Sequence, residues 1–577
     1  MGHTIAIELD VAMELSDGVR LRADIYRPEG PGANPAILIR TPYNKIRFEG
    51  GLFDPVALAR AGYAVVIQDI RGRYASEGVW ERHRMFEVEG TDGFESVEWI
   101  AEQRWCDGNV ALAGPSYLTA MQWIAAMAAP PHLKAFVPCV GDIGTNIAPN
   151  PETGAVSFYS AANALPMTAF DLVEKMKAQG EDVSEIAAYL ERMRQDPQWV
   201  VNYLPFKQFP LAKYPAFRAM LEQRLTPPSP EVLRERRRYD RVKVPGLHVG
   251  GWFDQLEWSI FEHCRKLKQH AGTEFARSGQ HLLVGPWDHG SPKSFLGELE
   301  FGPSSADELT LRGHVVDFYD KYLRGRDVDV PAVRYFVMGR NEWRTGETWP
   351  LPQTRWERWF LHSGGRANTA GGDGALNREE PGLEPRDRYA YDPLDPVPTI
   401  GGRLLPMAGL VPGPFDQALI ERRNDVLCYT SPELTEEMEV TGPLALQLAA
   451  ATTAADTDFT AKLTDVFPDG RSILIAEGIQ RASHRRRDGR AAALPPDEPV
   501  RYSVSLGNTS YAFRKGHRIR LHVSSSNFPL YDRNMNTGRP SGEDAVGVIA
   551  EQTVYHETGW LSYLDLPVIP NAEEGAG

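Results

Sequence analysis

The chain has 577 residues, a formal net charge of −15, 42% hydrophobic residues and 24% charged residues. That length is too great for one hydrophobic core, so two or three domains are expected, and the acidic balance argues against nucleic acid or an anionic membrane as a partner. Its cysteines, Cys106, Cys139, Cys264 and Cys428, lie far apart with no C-x-x-C pair, which gives neither a disulfide framework nor a zinc site and points to a reduced, cytoplasmic setting.

In chain order, the first ten residues alternate like a strand and lack both a basic start and an apolar run, so no signal peptide is expected. No apolar stretch approaches the roughly 20 residues of a transmembrane helix. Short apolar runs at 20–26, 36–40 and 64–68 read as strands of a sheet covered on both faces. Residues 1–145 then alternate strands and helices, and the sheet resumes over 241–345. Between them, 146–240 has helical patterns at 170–176 and 186–190 and a Pro-rich loop at 227–230, predicting a helical cap over the strand ends. From 346 to 577 the texture changes: 364–374 is loop-like, and short alternating strands such as 444–448 and 518–523 predict an all-β sandwich.

The most informative segment runs from Val110 through Gly114, Pro115, Ser116 and Tyr117 into a helix-forming run. This is strand, sharp turn, helix, with a serine at the tip. Alpha/beta-hydrolases hold their nucleophile this way, because the turn lifts the hydroxyl clear of the sheet and aims a helix N-terminus at it. Gly114 lets the turn close. A nucleophilic serine needs a base, and the base an orienting carboxylate. Two further loops supply them in the expected order: residues 245–254 form a short apolar strand, a glycine break and Asp254, and 280–289 repeat the pattern ending in His289. Taken singly, Asp254 reads equally as a turn cap and His289 as an ordinary histidine; the joint order selects Ser116, Asp254 and His289 as a catalytic triad.

Other histidines carry less. His83, His132, His270, His362, His484 and His556 lie in polar or irregular contexts and are read as solvated. His248 and His281 are near the acid and base but precede the glycine breaks. The basic run Arg485-Arg486-Arg487, closed by Asp488, reads as a solvated loop.

Several motifs together carry a resemblance: Thr41-Pro42-Tyr43-Asn44, the run from Asp69 through Arg71-Gly72-Arg73 to Ser76-Glu77-Gly78, Trp105-Cys106-Asp107-Gly108, the Gly-Trp-x-Asp ending in Asp254, and the Gly-Pro-Trp-x-His ending in His289. Over nearly its whole length the chain resembles the cocaine esterase group of serine hydrolases, kin to the X-Pro dipeptidyl-peptidases and alpha-amino-acid ester hydrolases. One position departs: Thr119 stands where the family has Gly, which puts the exact shape of the turn in question.

The resemblance implies an α/β-hydrolase fold with a helical cap and a C-terminal jelly-roll-like β domain, and a serine carboxylesterase that works through an acyl-enzyme. The alternative is an X-Pro dipeptidyl-peptidase or alpha-amino-acid ester hydrolase. The oxyanion hole is expected from the backbone N–H of Tyr117 and, by resemblance, the phenol of Tyr43. Trp252, Phe253, Leu256 and Glu257 are candidate substrate-pocket residues. A substrate ammonium would need carboxylates near the acyl site, and Asp254 is followed by Gln255, Leu256 and Glu257, a pattern that favours a neutral acyl group. No metal, nucleotide or flavin motif occurs, so no cofactor is expected. The expected partner is a small-molecule ester, with no nucleic acid and no membrane; a homodimer is compatible with the sequence.

Overall fold

The computed structural model describes residues 4–570 apart from 49, 81–83, 144–149, 406–408 and 487–489, and gives the backbone but not the side chains of Met167, Thr168, Phe170 and Asp171. His83, and Arg487 and Asp488 of the basic run, lie outside the described residues.

The N-terminal half is built on strands β1 (Ile5–Glu14), β2 (Arg20–Pro28), β3 (Asn34–Thr41), β4 (Ala64–Asp69), β5 (Cys106–Pro115), β6 (Leu133–Cys139), β7 (Gly246–Gly251) and β8 (Gln280–Gly285). They pair in the order β1-β2-β4-β3-β5-β6-β7-β8, and the sheet continues into Val333–Val337 and Glu342–Gly346. From β4 to β8 every neighbour is parallel. The central strands are continuous apolar runs because both faces are covered: in β3, Ala36 and Leu38 enter one core with Trp123, whereas Ile37 and Ile39 enter the other with Phe318 and Tyr319. This is an α/β-hydrolase-like core.

Between β6 and β7 the chain leaves the sheet and forms helices Phe158–Ala178, Ser184–Gln195, Pro215–Leu225 and shorter turns. These bury their own apolar cluster, including Leu165, Phe206, Phe209, Phe217 and Leu221. One buried histidine ties both ends of the excursion: His263 Nε2 lies 2.6 Å from Asp142 Oδ1, and its Nδ1 lies 2.8 Å from the Tyr239 hydroxyl.

The C-terminal part is a system of β-sheets. Its longest strand, Met438–Thr452, pairs with Val500–Phe513, Ala550–Tyr555 and Tyr563–Ile569. Its core is continuous with Trp252, Phe261 and Phe336 of the N-terminal half, so the two parts share one apolar interior. His556, expected in solvent, is fully buried here, with Nε2 3.0 Å from Asp387 Oδ2; its irregular sequence context hides a carboxylate that arrives from far away in the chain. Among the described residues no helix is long and apolar enough to cross a membrane.

Candidate active site

Ser116 sits at the tip of the turn from β5 to the helix Tyr117–Ala128, at φ 59°, ψ −121°. A non-glycine residue with positive φ is strained and persists only where its surroundings hold it. They do so here. The Ser116 N–H donates to the Cys139 carbonyl at the end of β6, 2.9 Å away. The fully buried Thr119 hydroxyl accepts from the Cys139 N–H at 2.9 Å and lies 2.7 Å from the Cys139 carbonyl and 3.1 Å from that of Gly114. Thr119 thus bolts the turn to β6. The space it needs comes from Gly141: a Cβ there would stand 2.4 Å from Thr119 Cβ and 2.6 Å from the Ser116 carbonyl oxygen.

The acid and base loops follow β7 and β8, which run parallel in register from Gly246–Gln280 to Gly251–Gly285. The loops then cross. Trp252 N–H donates to Gly285 O at 2.9 Å and Phe253 N–H to Trp287 O at 2.9 Å. A Cβ on Gly251 would meet Trp287 O at 2.3 Å, so only glycine allows this approach. The crossing places His289 Nδ1 2.5 Å from Asp254 Oδ2 and His289 Nε2 2.8 Å from Ser116 Oγ. The other Asp254 oxygen accepts from the Leu256 N–H at 2.6 Å, and the carboxylate is fully buried. Burial pulls the His289 imidazole down, but the charge and hydrogen bond of Asp254 outweigh it and hold the group above its ordinary 6.5.

Beside Ser116 lies a small pocket of about 80 Å³ lined by Tyr43, Arg73, Trp80, Asn163, Leu256 and their neighbours. Tyr43 is 36% exposed and meets Tyr117 edge-on at 6.2 Å between ring centroids. Arg73 fixes the loop that carries it: Nε donates to Pro42 O at 3.0 Å, and the guanidinium lies 4.7 Å from the Trp80 ring centroid.

The structure brings Ser116, Asp254, His289, Tyr43, Tyr117 and Leu256 together and leaves the other expected pocket residues behind the wall. Trp252 is fully buried and donates Nε1–H to Phe336 O at 2.9 Å, and Phe253 lies in the same shared core. Glu257 is also buried; its Oε1 accepts from the Asn508 N–H at 3.0 Å and from Asn508 Nδ2 at 2.7 Å. These side chains pack the acid loop against the β-sheet part, so they cannot line the pocket. His248 bonds Gln280 and His281 bonds Pro331 O and Tyr322, and burial pushes them down to about 3 and about 4 respectively.

Sequence reasoning missed Arg73, Trp80 and Arg224 in the pocket wall and contributions from further away. The helix Phe158–Ala178 adds Ser160, Asn163 and Ala164 to the pocket, and Ser160 Oγ donates to Gln255 Oε1 at 3.0 Å. Leu405 arrives from the C-terminal part, its carbonyl accepting from the Tyr159 hydroxyl at 2.7 Å. Arg403 donates Nε–H to Trp252 O at 3.0 Å and its other nitrogens to Leu506 O and Asn508 O at 2.7 and 2.9 Å, anchoring the acid loop from outside. The spacing of Ser160, Asn163 and Ala164 on one helical face was the only available signal. Among the described residues no group of His, Cys, Asp and Glu could hold a metal ion.

Residues 17–291 match the X-Pro dipeptidyl-peptidase (S15) family, and residues 327–565 match the X-Pro dipeptidyl-peptidase C-terminal non-catalytic domain. The cocaine esterase of Rhodococcus sp. (strain MB1 Bresler) is 36% identical over 562 residues, which cover 95% of this chain and 94% of that protein. Two solved structures share the fold: an aminopeptidase from a marine sediment Thaumarchaeota archaeon (24% identity, TM-score 0.74, 99% of this chain and 97% of that one) and an alpha-amino acid ester hydrolase (23%, TM-score 0.71, 98% and 97%).

Proposed function

Because the chain belongs to the cocaine esterase and X-Pro dipeptidyl-peptidase (S15) family and is a serine hydrolase acting on ester bonds, we propose that it is a small-molecule carboxylesterase with Ser116 as nucleophile, His289 as base and Asp254 as orienting acid. The observation that carries this is the unbroken Asp254–His289–Ser116 hydrogen-bonded chain at a strained turn facing a pocket. His289 takes the Ser116 proton as Oγ attacks the ester carbonyl. Asp254 holds the proton on Nδ1 and stabilises the imidazolium. The alcohol leaves with the proton from Nε2, and water repeats the cycle on the acyl-enzyme. The Tyr117 N–H, the first of its helix, and the Tyr43 hydroxyl supply the two oxyanion donors.

The finer architecture belongs to this reading. The helices between β6 and β7 act as a cap over the strand ends, and the C-terminal sheets form a jelly-roll-like domain. Domain limits of 1–145 with 241–345, 146–240 and 346–577 follow. All four cysteines are free and buried, in keeping with a cytoplasmic setting.

Neutral acyl groups are favoured over aminoacyl groups. The acidic residue that follows Asp254, Glu257, is buried against Asn508, and an ammonium buried without a carboxylate partner is costly. The test is a fluorophosphonate label on wild type and Ser116→Ala, followed by a panel of p-nitrophenyl, benzoyl, aminoacyl and X-Pro substrates. Labelling and neutral-ester turnover that both vanish in Ser116→Ala support the assignment; turnover that persists refutes it. Preference for aminoacyl or X-Pro substrates would instead select the peptidase branch.

A further inference from the structure

A second, larger cavity of about 710 Å³ lies between the helices of 158–202 and the C-terminal part. Its walls are mainly apolar, with Phe158, Leu190, Met193 and Val200 on one side and Leu410 and Phe528 on the other. The volume falls in the range of about 300–1,000 Å³ typical of small-molecule sites. Three of its polar side chains are already engaged: Arg194 holds Glu191 at 2.6 Å, Arg533 donates to Val201 O at 2.8 Å, and Thr399 Oγ1 accepts from the Leu530 N–H at 3.1 Å.

Asn163 is different. It lines both this cavity and the pocket at Ser116. It is only 6% exposed, and its Nδ2 has no hydrogen-bond partner among the described residues. A buried donor without an acceptor is unfavourable. Such a donor, on a side chain that borders both cavities, suits an oxygen of a ligand that reaches from one to the other.

We propose that the larger cavity is the subsite for an extended apolar end of the ester, and that Asn163 donates to a substrate oxygen at the junction. The substrate class is therefore neutral esters with a long alkyl or an aryl-alkyl arm, not short-chain esters alone. This rests on the Ser116 esterase reading and deepens it. Each buried methylene should raise kcat/KM about fourfold, which is about 0.8 kcal/mol, until the cavity is full.

Two matched series test it: p-nitrophenyl esters from acetate to octanoate, and acetate esters from methyl to octyl. A steep rise in either series supports the subsite and tells which end of the ester enters. Ala162→Trp and Leu410→Trp fill the cavity from opposite walls, and each should cut the long-over-short ratio of kcat/KM at least tenfold in the favoured series. That ratio is measured within one preparation, so partial misfolding does not affect it. Asn163→Leu keeps the bulk, removes the donor, and should raise KM for the favoured long ester about tenfold. A flat dependence on chain length in both series, or ratios untouched by both tryptophans, overturns the subsite; an unchanged KM in Asn163→Leu overturns the junction role. Absence of any p-nitrophenyl acetate turnover in wild type would instead refute the esterase reading beneath it.

Discussion

Thr119→Val isolates what the threonine at the nucleophile turn does. Valine keeps the shape and removes the hydroxyl. The Ser116 N–H still bonds Cys139 O, and Gly114 O still accepts from Gln122 Nε2 at 2.8 Å. The Cys139 N–H, however, loses the acceptor it holds at 2.9 Å. A buried N–H left unsatisfied costs about 1–3 kcal/mol. The strained Ser116 conformation costs a similar amount, about 1–3 kcal/mol, and the same clamp helps to hold it. The expected result is a lower melting temperature and, if about 1.4 kcal/mol of the loss reaches the transition state, a tenfold fall in kcat. Thr119→Ser retains the hydroxyl and should keep kcat near wild type. The assay pairs a melting curve with p-nitrophenyl ester kinetics on all three proteins. Thr119→Val matching wild type in both measurements would refute the clamp.

Tyr43→Phe should lower kcat about 10²- to 10³-fold with little change in KM, because an oxyanion donor acts as charge develops; lost thermal stability with near-normal turnover would instead mark a structural tyrosine. His289 must be neutral to accept the Ser116 proton, and Asp254 raises its pKa, so the acid limb of kcat/KM should fall above pH 6.5 and move down in Asp254→Asn. The linked stability has the opposite sense: the pairing of protonated His289 with Asp254 contributes fully below the unfolded pKa and fades as pH rises through the raised folded value. Glu257→Ala orphans the Asn508 N–H and should cost about 1–3 kcal/mol of stability without changing the preference between neutral and aminoacyl esters; a changed preference would return Glu257 to the pocket.

What the sequence disclosed followed the strands. Ser116, Asp254 and His289 each stand just past a short apolar run with a glycine, and strand-end loops of a parallel sheet converge in space. The place of Tyr43 in the pocket wall was legible through its motif. What lay hidden was contributed across large sequence separations. Nothing near Glu257 announces Asn508, 251 residues away, so an acidic residue close after Asp254 looked like a substrate contact. Trp252 and Phe253 looked like pocket walls because aromatic residues serve cores and sites alike, and only the arriving β-sheet decides between them. Asn163 and Leu405 come from two other parts of the chain, and no local pattern joins them to Ser116. His556 was misread for the same reason.

The helical excursion between β6 and β7 is held at both ends by His263, and its apolar cluster is closed by Phe528 of the C-terminal part, which also bonds it through Leu405 and Arg533. The Asp254–His289–Ser116 chain stands on the sheet, whereas the wall facing Ser116 is set jointly by the excursion and the C-terminal part. Drift in the excursion can reshape which esters are admitted while the hydrogen-bonded chain on the sheet stays fixed. Chimaeras that redirect that choice must therefore carry the segment between the Asp142 and Tyr239 anchors together with the C-terminal residues that face it, Leu405, Phe528 and Arg533 among them.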